Sequence, residues 1–232
     1  MNGVNGIVRK ALLSCGVVSS VLYAAATFVG ALRWEGYSSI SQTVSELFAI
    51  DAPSRPLVVP LFLTYSVLVI TFGLGVWGAA RGNRALRIVG GLLVVNEARG
   101  IVGTLFAPMH LRGVAGTSSD TWHMILTVVN VLCILFIIGL GATAFGTWFR
   151  RYSLGTILLL VVFGTLAGLD GPRLAANLPT PWMGVTERIN IFGYMLWVAV
   201  LAVGLWRAEG TVARSEREKL RAIPQQGMPL AS

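Results

Sequence analysis

The sequence predicts an all-α integral membrane protein, a bundle of six transmembrane helices. Apolar residues make up 55% of the 232 residues and charged residues only 12%, whereas a soluble domain has about 25% charged residues. The mean hydropathy is +0.73. Six separate apolar runs also approach the length of about 20 residues that a helix needs to cross a hydrocarbon core. This composition excludes an intrinsically disordered chain and argues against an ordinary soluble enzyme.

The six apolar runs define the predicted spans. They cover residues 11–32, 57–80, 88–107, 122–146, 154–174 and 189–206. We therefore expect one membrane domain over residues 1–206. Residues 207–232 are charged and then contain two prolines, so we expect a disordered, basic cytoplasmic tail there.

The distribution of arginine and lysine predicts the orientation of the bundle. One set of alternate connections and ends holds twelve of these residues, the opposite set holds five, and Arg99 lies inside the third span. Positive residues collect on the cytoplasmic side, so both termini are expected in the cytoplasm. The net charge of +8 is spread over these short connections and predicts no nucleic-acid partner.

The first outer connection predicts an amphipathic helix. Apolar residues recur at Ile40, Val44, Leu47 and Phe48, the spacing of one helix face. A helix of about three turns would lie at the outer membrane interface. Two interpretations stay open: a lid that turns polar residues such as Glu46 toward a pocket, or a helix anchored on lipid with its polar face in water.

The third span carries two charges near the middle of the membrane, Glu97 and Arg99. Each such charge costs about 2.5–3.5 kcal/mol on insertion scales, which by default indicates a functional or paired group. The two side chains point about 200° apart on a helix. Each therefore needs a partner from another helix, from the backbone or from water. The alternative to a functional role is an interhelical ion pair that fixes packing.

The second outer connection carries His110, Arg112, Asp120 and His123. One hypothesis is a divalent metal site, since a carboxylate and two imidazoles form an acceptable first shell for zinc. No HExxH motif supports it. Asp120 is also a suitable N-cap for the fourth span. His123 needs no metal to act as a general acid or base.

The last outer connection predicts the start of the sixth span. Thr186 is a suitable N-cap, and Glu187 is favourable at the positive end of a helix. Arg188 then points into or near the bundle. Asp170 and Arg173 are spaced for a local ion pair.

Several strings together resemble a bacterial membrane family catalogued as domain of unknown function 998. They are YSSISQTVSEL, APMHLRG, DTWH, GATAFGTWFRRYS and LPTPWMGVTERINI. The resemblance covers most of residues 11–206 and implies a six-helix bundle. It brings no established reaction, so it implies no catalytic residue. Metal-dependent ceramidase-like hydrolases also carry outward Asp, His and Ser clusters, but this chain departs from them in having only two histidines.

These observations predict an outward-opening pocket among the third, fourth and sixth spans, capped by residues 38–48. Its expected lining is Glu46, Glu97, Arg99, His110, Arg112, Asp120, His123, Glu187 and Arg188. Glu46, Arg99, Arg112, Glu187 and Arg188 are the candidate ligand-binding residues. Glu97, Asp120 and His123 are the candidate catalytic residues, and His110, Asp120 and His123 are the candidate metal ligands.

Three functions fit this pocket. The first is binding or movement of a small amphipathic or lipid-like molecule, with Arg99 or Arg188 holding an anionic head and Glu97 linked to a proton. The second is an intramembrane enzyme that acts on a lipid or polyisoprenoid by general acid–base chemistry. The third is a structural membrane subunit. Membrane lipids are the expected partners, and no cofactor is firmly implied.

Overall fold

A computed structural model describes the backbone of residues 2–114 and 116–222 and the side chains of residues 6–114 and 116–211. Its regular elements are all helical. They are α1 (Asn2–Arg33), α2 (Arg55–Ala79), α3 (Arg84–Phe106), α4 (Ser118–Gly141), α5 (Thr147–Leu169), α6 (Gly171–Ala175) and α7 (Met183–Ala222). All except α6 are long and apolar enough to cross a membrane. The predicted all-α fold with six spans is therefore confirmed.

The six long helices form a closed ring. Each packs against the next in chain order, α7 returns to pack against α1, and α2 also contacts α7. Fully buried Trp197 of α7 lies at the centre of the main apolar core. Its indole nitrogen donates to Ser153 on α5 at 2.9 Å, and the missing side chain of Gly141 on α4 makes room for its ring. The junction of α4 and α5 is the least closely packed of the six.

All six long helices begin before the predicted spans, and two of the differences at helix ends correct a prediction. α4 ends at Gly141 instead of continuing to 146, because residues 142–146 turn the chain into α5. α7 begins at Met183, so Thr186 lies inside the helix and its hydroxyl donates to backbone carbonyls of the preceding turn. The predicted cap at Thr186 is therefore wrong.

The segment after the sixth span is also more regular than predicted. α7 continues to Ala222, so residues 207–222 are helical and not disordered as expected. Residues 223–232 of the predicted tail lie outside the described part of the chain. Within α7, the carboxylate of Glu209 is buried and accepts hydrogen bonds from Arg9 and Arg81, each at 3.0 Å. This cluster joins α1, the turn before α3 and α7 at the end of the bundle where α1 begins.

The opposite end of the bundle carries the connections 34–54, 107–117 and 170–182, and we call it the distal end. The predicted three-turn amphipathic helix there is wrong. Residues 38–44 form turns and bends, and only Ser45–Phe48 form a single turn of 3-10 helix. We call residues 38–48 the plug, because Val44, Glu46 and Leu47 are almost completely buried in the bundle.

Side-chain hydrogen bonds explain why the plug is not a helix. The amide of Gln42 accepts a hydrogen bond from the backbone of Ser38, and the carboxylate of Glu46 accepts one from the backbone of Thr43. Such local bonds offer backbone groups an alternative to a helical ladder. Val44 and Leu47 are buried together all the same and Phe48 packs against them, because turns can also bring these residues to one side, whereas Ile40 is 54% exposed.

The plug packs directly on the first turn of α7 at Gly184. A β-carbon at this position would lie less than 3.0 Å from the backbone oxygens of Ser39, Ile40 and Gln42. Only glycine therefore allows the plug to approach α7 this closely.

We expect Gly184→Ala to destabilise the protein by about 1–3 kcal/mol, the usual cost of overpacking against groups that cannot move aside. The measurement is the thermal unfolding of purified protein in detergent. Gly139→Ala is the matched control, because its β-carbon would meet open space and alanine favours a helix. Equal unfolding temperatures for the two variants would contradict the close plug–α7 contact.

Candidate functional site

A buried ion pair joins the three distal connections. The guanidinium of Arg112 contacts both carboxylate oxygens of Glu46, at 2.6 and 2.9 Å. The same guanidinium donates to the hydroxyl of Thr180 at 2.7 Å and to the carbonyl of Ser41 at 2.8 Å. We call these four residues the distal clamp. Glu46 and Arg112, predicted as ligand-binding residues, bind each other and line no cavity described here, so this prediction is corrected.

Arg188 is also fully engaged with the plug. Its guanidinium donates to the carbonyls of Ser39, Gln42 and Gly184 at 2.8–3.0 Å and to the hydroxyl of Tyr37. Burial raises the pKa of Tyr37 to about 12, although Arg188 opposes that rise. Tyr37 therefore keeps its proton and donates it to the carbonyl of Thr43. The expectation that Arg188 holds an anionic head group is replaced by a role in fixing the plug.

Asp120 caps a helix instead of facing a pocket. Thr117 is the N-cap of α4, and Asp120 completes a capping box by accepting from the Thr117 backbone. Asp120 also lies 3.1 Å from the Nδ1 atom of His110. These bonds use Asp120 at the helix start, and the N-cap predicted at Asp120 is corrected to Thr117.

The three candidate metal ligands do not come together. The Nδ1 atom of His123 lies 3.2 Å from the carbonyl oxygen of Ala107, away from the His110–Asp120 pair. Within the described residues, no group of three or more His, Cys, Asp or Glu side chains is arranged to hold a metal ion. The metal site proposed for His110, Asp120 and His123 is therefore not formed.

Four other predicted residues surround one cavity in the bundle. This central cavity has a volume of about 250 Å³ and is enclosed by α1, α2, α3, α4 and α7, with plug residues at its distal end. Its ionisable lining residues include Glu97, Arg99, His123 and Glu187. Two of these, Glu97 and Arg99, are the intramembrane charges of the third span.

Polar residues reach the central cavity as stripes on three helices. The stripes are Glu97 and Thr104 on α3, with Gly100 between them; His123, Thr127 and Asn130 on α4; and Glu187, Asn190 and Tyr194 on α7. Each stripe follows the spacing of one helix face. Sequence reasoning that considered mainly ionisable residues missed Asn130 and Tyr194. A search for polar residues at helical spacing within the spans would have found them.

Glu97 and Arg99 have separate, uncharged partners. The hydroxyl of Ser66 on α2 donates to the Glu97 carboxylate at 3.0 Å. The guanidinium of Arg99 donates to the carbonyl of Leu126 at 3.0 Å and to the side-chain oxygen of Asn130 at 2.7 Å. Neither charge forms a salt bridge with any residue that the structure describes. The prediction that each needs a partner from another helix is met by neutral groups.

Glu187 connects the cavity to the plug. One carboxylate oxygen accepts a hydrogen bond from the backbone nitrogen of Val44 at 2.5 Å. Neighbouring residues on α7 thus have opposite roles: Glu187 lines the central cavity, whereas Arg188 holds the outer turns of the plug. Glu187 was predicted as a ligand-binding residue, and its position at the cavity wall is compatible with that prediction.

An apolar groove continues from the central cavity toward the outside of the ring. This lateral groove, of about 400 Å³, lies between α4 and α5 and is bordered by α6 and α7. Val128, Leu132 and Val161 line it and are exposed on the membrane-facing surface. The groove and the cavity share the lining residues Ser45, His123, Thr127, Val131, Glu187 and Asn190. The most loosely packed helix junction therefore lies beside the cavity that holds the buried charges.

Comparison with known proteins identifies one family. The model of the family described as Protein of unknown function (DUF998) matches residues 17–204, which is most of the chain and reaches from the first span to the sixth. No curated protein and no solved structure matches the chain significantly.

We expect Arg112→Ala to destabilise the protein by about 3–5 kcal/mol, because it leaves the fully buried Glu46 carboxylate without its counter-ion. The measurement is thermal or denaturant unfolding in detergent. Arg173→Ala is the matched control at the distal end: Arg173 is 51% exposed and lies 3.8 Å from Asp170, so its loss should cost about 1 kcal/mol or less. Equal losses in the two variants would show that the distal clamp does not hold the loops together.

Proposed function

Since the chain belongs to the DUF998 family, whose description states no activity, we propose its function from the cavity alone: it binds an amphipathic, lipid-like molecule in a bacterial cytoplasmic membrane. The polar head of this ligand occupies the central cavity. Its hydrocarbon chain lies in the lateral groove between α4 and α5. The distal end faces outward, as the excess of arginine and lysine at the opposite end predicts.

The continuity of a charged cavity with an apolar groove carries this proposal. An amphipathic molecule needs both environments at once, joined end to end. The shared residues at the junction include the polar side chains of His123, Glu187 and Asn190, and the groove beyond them is lined largely by leucine, valine and glycine. A soluble metabolite would have no use for the groove.

The surroundings of the groove favour a ligand that arrives from the bilayer. Apolar side chains at its edges are exposed on the surface that lipid chains would contact. The distal end of the cavity, in contrast, is closed by Val44, Ser45 and Phe48 of the plug, which the distal clamp and Arg188 hold in place. Entry of a ligand between α4 and α5 would therefore break fewer hydrogen bonds and ion pairs than entry through the plug.

We expect Gly168→Leu to lower the amount of lipid retained by the purified protein by about tenfold, a loss of roughly 1.4 kcal/mol. Gly168 lines the lateral groove, and its β-carbon would extend into open space, so a leucine fits the fold but fills the groove. The measurement is native mass spectrometry of protein released from detergent, with bound lipids identified by mass.

Gly155→Leu is the matched control for the groove variant. It lies on the same helix, also has open space at its β-carbon, and lines neither the groove nor the cavity. It should retain lipid as the unmodified protein does. Equal retention by both variants would contradict the lipid-binding proposal and favour the structural-subunit alternative.

An enzymatic role is the second candidate, and the position of His123 favours it. The contact of its Nδ1 atom with the Ala107 carbonyl requires a proton on that nitrogen, which leaves Nε2 as the basic atom of a neutral imidazole. His123 lines both the cavity and the groove, so a bound lipid head would pass it. This arrangement suits a general base.

Catalysis predicts that protein incubated with extracted membrane lipids yields a product of altered mass, and that His123→Gln abolishes the product. The lipid retained by the variant should stay within about twofold of the unmodified protein, because glutamine also offers a side-chain donor to the Ala107 carbonyl. Liquid chromatography with mass spectrometry detects the product. Lipid binding without any product from the unmodified protein would leave binding as the function.

A further inference from the structure

The central cavity contains both negative and positive side chains, and each of them could form further hydrogen bonds. Glu97 accepts one side-chain hydrogen bond, from Ser66, and Glu187 accepts one from the backbone of Val44. The terminal nitrogens of Arg99 bond only to neutral oxygens. By comparison, the carboxylate of Glu46 in the distal clamp receives hydrogen bonds from backbone, hydroxyl and guanidinium donors. The carboxylates of the cavity are thus far less satisfied than the structural one.

Two buried polar atoms at the cavity wall indicate a missing partner. The Nε atom of Arg99 and the hydroxyl of Tyr194 are inaccessible and have no hydrogen-bond partner among the described residues. Tyr194 is only 3% exposed and lines the central cavity. Buried polar groups in proteins nearly always have a partner, supplied by protein, water or ligand. The guanidinium of Arg99 has no anionic partner among the described residues, so a ligand that pairs with its charge carries an anionic oxygen.

Aromatic rings add a preference for a positive group. Tyr23 stacks on Phe62 with ring centroids 4.6 Å apart and meets Tyr65 edge-on at 4.9 Å. Phe48 contacts Phe62 at 5.4 Å. All four rings line the central cavity together with Glu97 and Glu187. Aromatic faces attract cations, most strongly where water is excluded.

From these observations we propose that the head group is zwitterionic, an amine-bearing phosphodiester lipid such as phosphatidylethanolamine. This inference rests on the proposed lipid-binding function and names its ligand class. The ammonium lies against the carboxylates of Glu97 and Glu187 and the aromatic rings. An anionic oxygen accepts from Arg99.

The other head-group classes leave charges unbalanced. A purely anionic head meets two carboxylates and a guanidinium whose terminal nitrogens are already engaged. A purely cationic head leaves the guanidinium of Arg99 without an anionic partner. A neutral head pairs none of the three charges, and unpaired charges in a membrane interior are costly. Only a zwitterion offers a partner to both signs.

The test is a competition between two lipids with identical acyl chains, phosphatidylethanolamine and the anionic phosphatidylglycerol, presented to the full-length protein in equimolar mixed micelles. Native mass spectrometry counts each bound lipid. We expect a preference of about tenfold for phosphatidylethanolamine, the ratio that one charge-assisted hydrogen bond supplies. Equal binding, or a preference for phosphatidylglycerol, would overturn the zwitterion proposal.

Glu97→Gln and Glu187→Gln should each reduce that preference several-fold. Glutamine keeps the oxygen that accepts from Ser66 or Val44, so the fold should survive, and unfolding temperatures verify this. Glu35→Gln, an exposed carboxylate of the distal end, is the matched control and should change nothing. An unchanged preference in both cavity variants would contradict the carboxylate contacts.

The groove variants and one displacement measurement separate the zwitterion inference from the proposed function on which it rests. If Gly168→Leu and Gly155→Leu retain lipid equally, the proposed function itself fails. If retention depends on the groove but not on the head group, only the zwitterion inference fails. Glycerophosphoethanolamine, the same head group without acyl chains, should not displace the lipid. Displacement at equal concentration would point to a soluble zwitterion and overturn the lipid source.

Discussion

The bidentate pair between Glu46 and Arg112 is the interaction on which the distal half of the protein depends. It ties the connection after α1 to the connections after α3 and α5 through Ser41 and Thr180. A buried charge pair of this kind contributes little net stability relative to apolar residues, but removal of one partner is strongly destabilising. Its consequence here is geometric: it fixes the plug over the bundle and thereby closes the central cavity on one side.

The buried carboxylates of the protein are of two kinds, which differ in whether the fold gives them an arginine partner. Glu46 and Glu209 each meet one or two arginines, and their contacts are explained by the fold. Glu97 and Glu187 meet only neutral donors at the wall of a cavity. The loosely packed α4–α5 junction forms the apolar lateral groove, which lies beside this cavity on the side of the bilayer. This incomplete pairing beside the lateral groove is the basis of the proposed binding of an amphipathic molecule.

Sequence patterns predicted features that depend on a single helix, and they did not predict contacts between distant connections. The intramembrane position of Glu97 and Arg99 follows from span length alone, and both line the central cavity. Glu46, Arg112 and Arg188 carry the same kind of charge in the sequence, but the structure pairs them with each other or with plug carbonyls. No sequence spacing records contacts between connections that lie more than sixty residues apart.

The sequence by itself determined the six helices and their number, because about twenty apolar residues in a row have one stable state in a bilayer, a helix with all backbone groups bonded internally. Tertiary structure decided what the connections do. The apolar spacing of residues 40–48 suits a helix and a compact buried turn equally well. The turn is favoured by Arg188 and Arg112, which bind the backbone and side chains of the plug, and by Gly184, which lets the plug approach α7 closely. Tertiary structure also decided which charges stay under-bonded, since a partner supplied by a distant helix is visible only after the bundle closes.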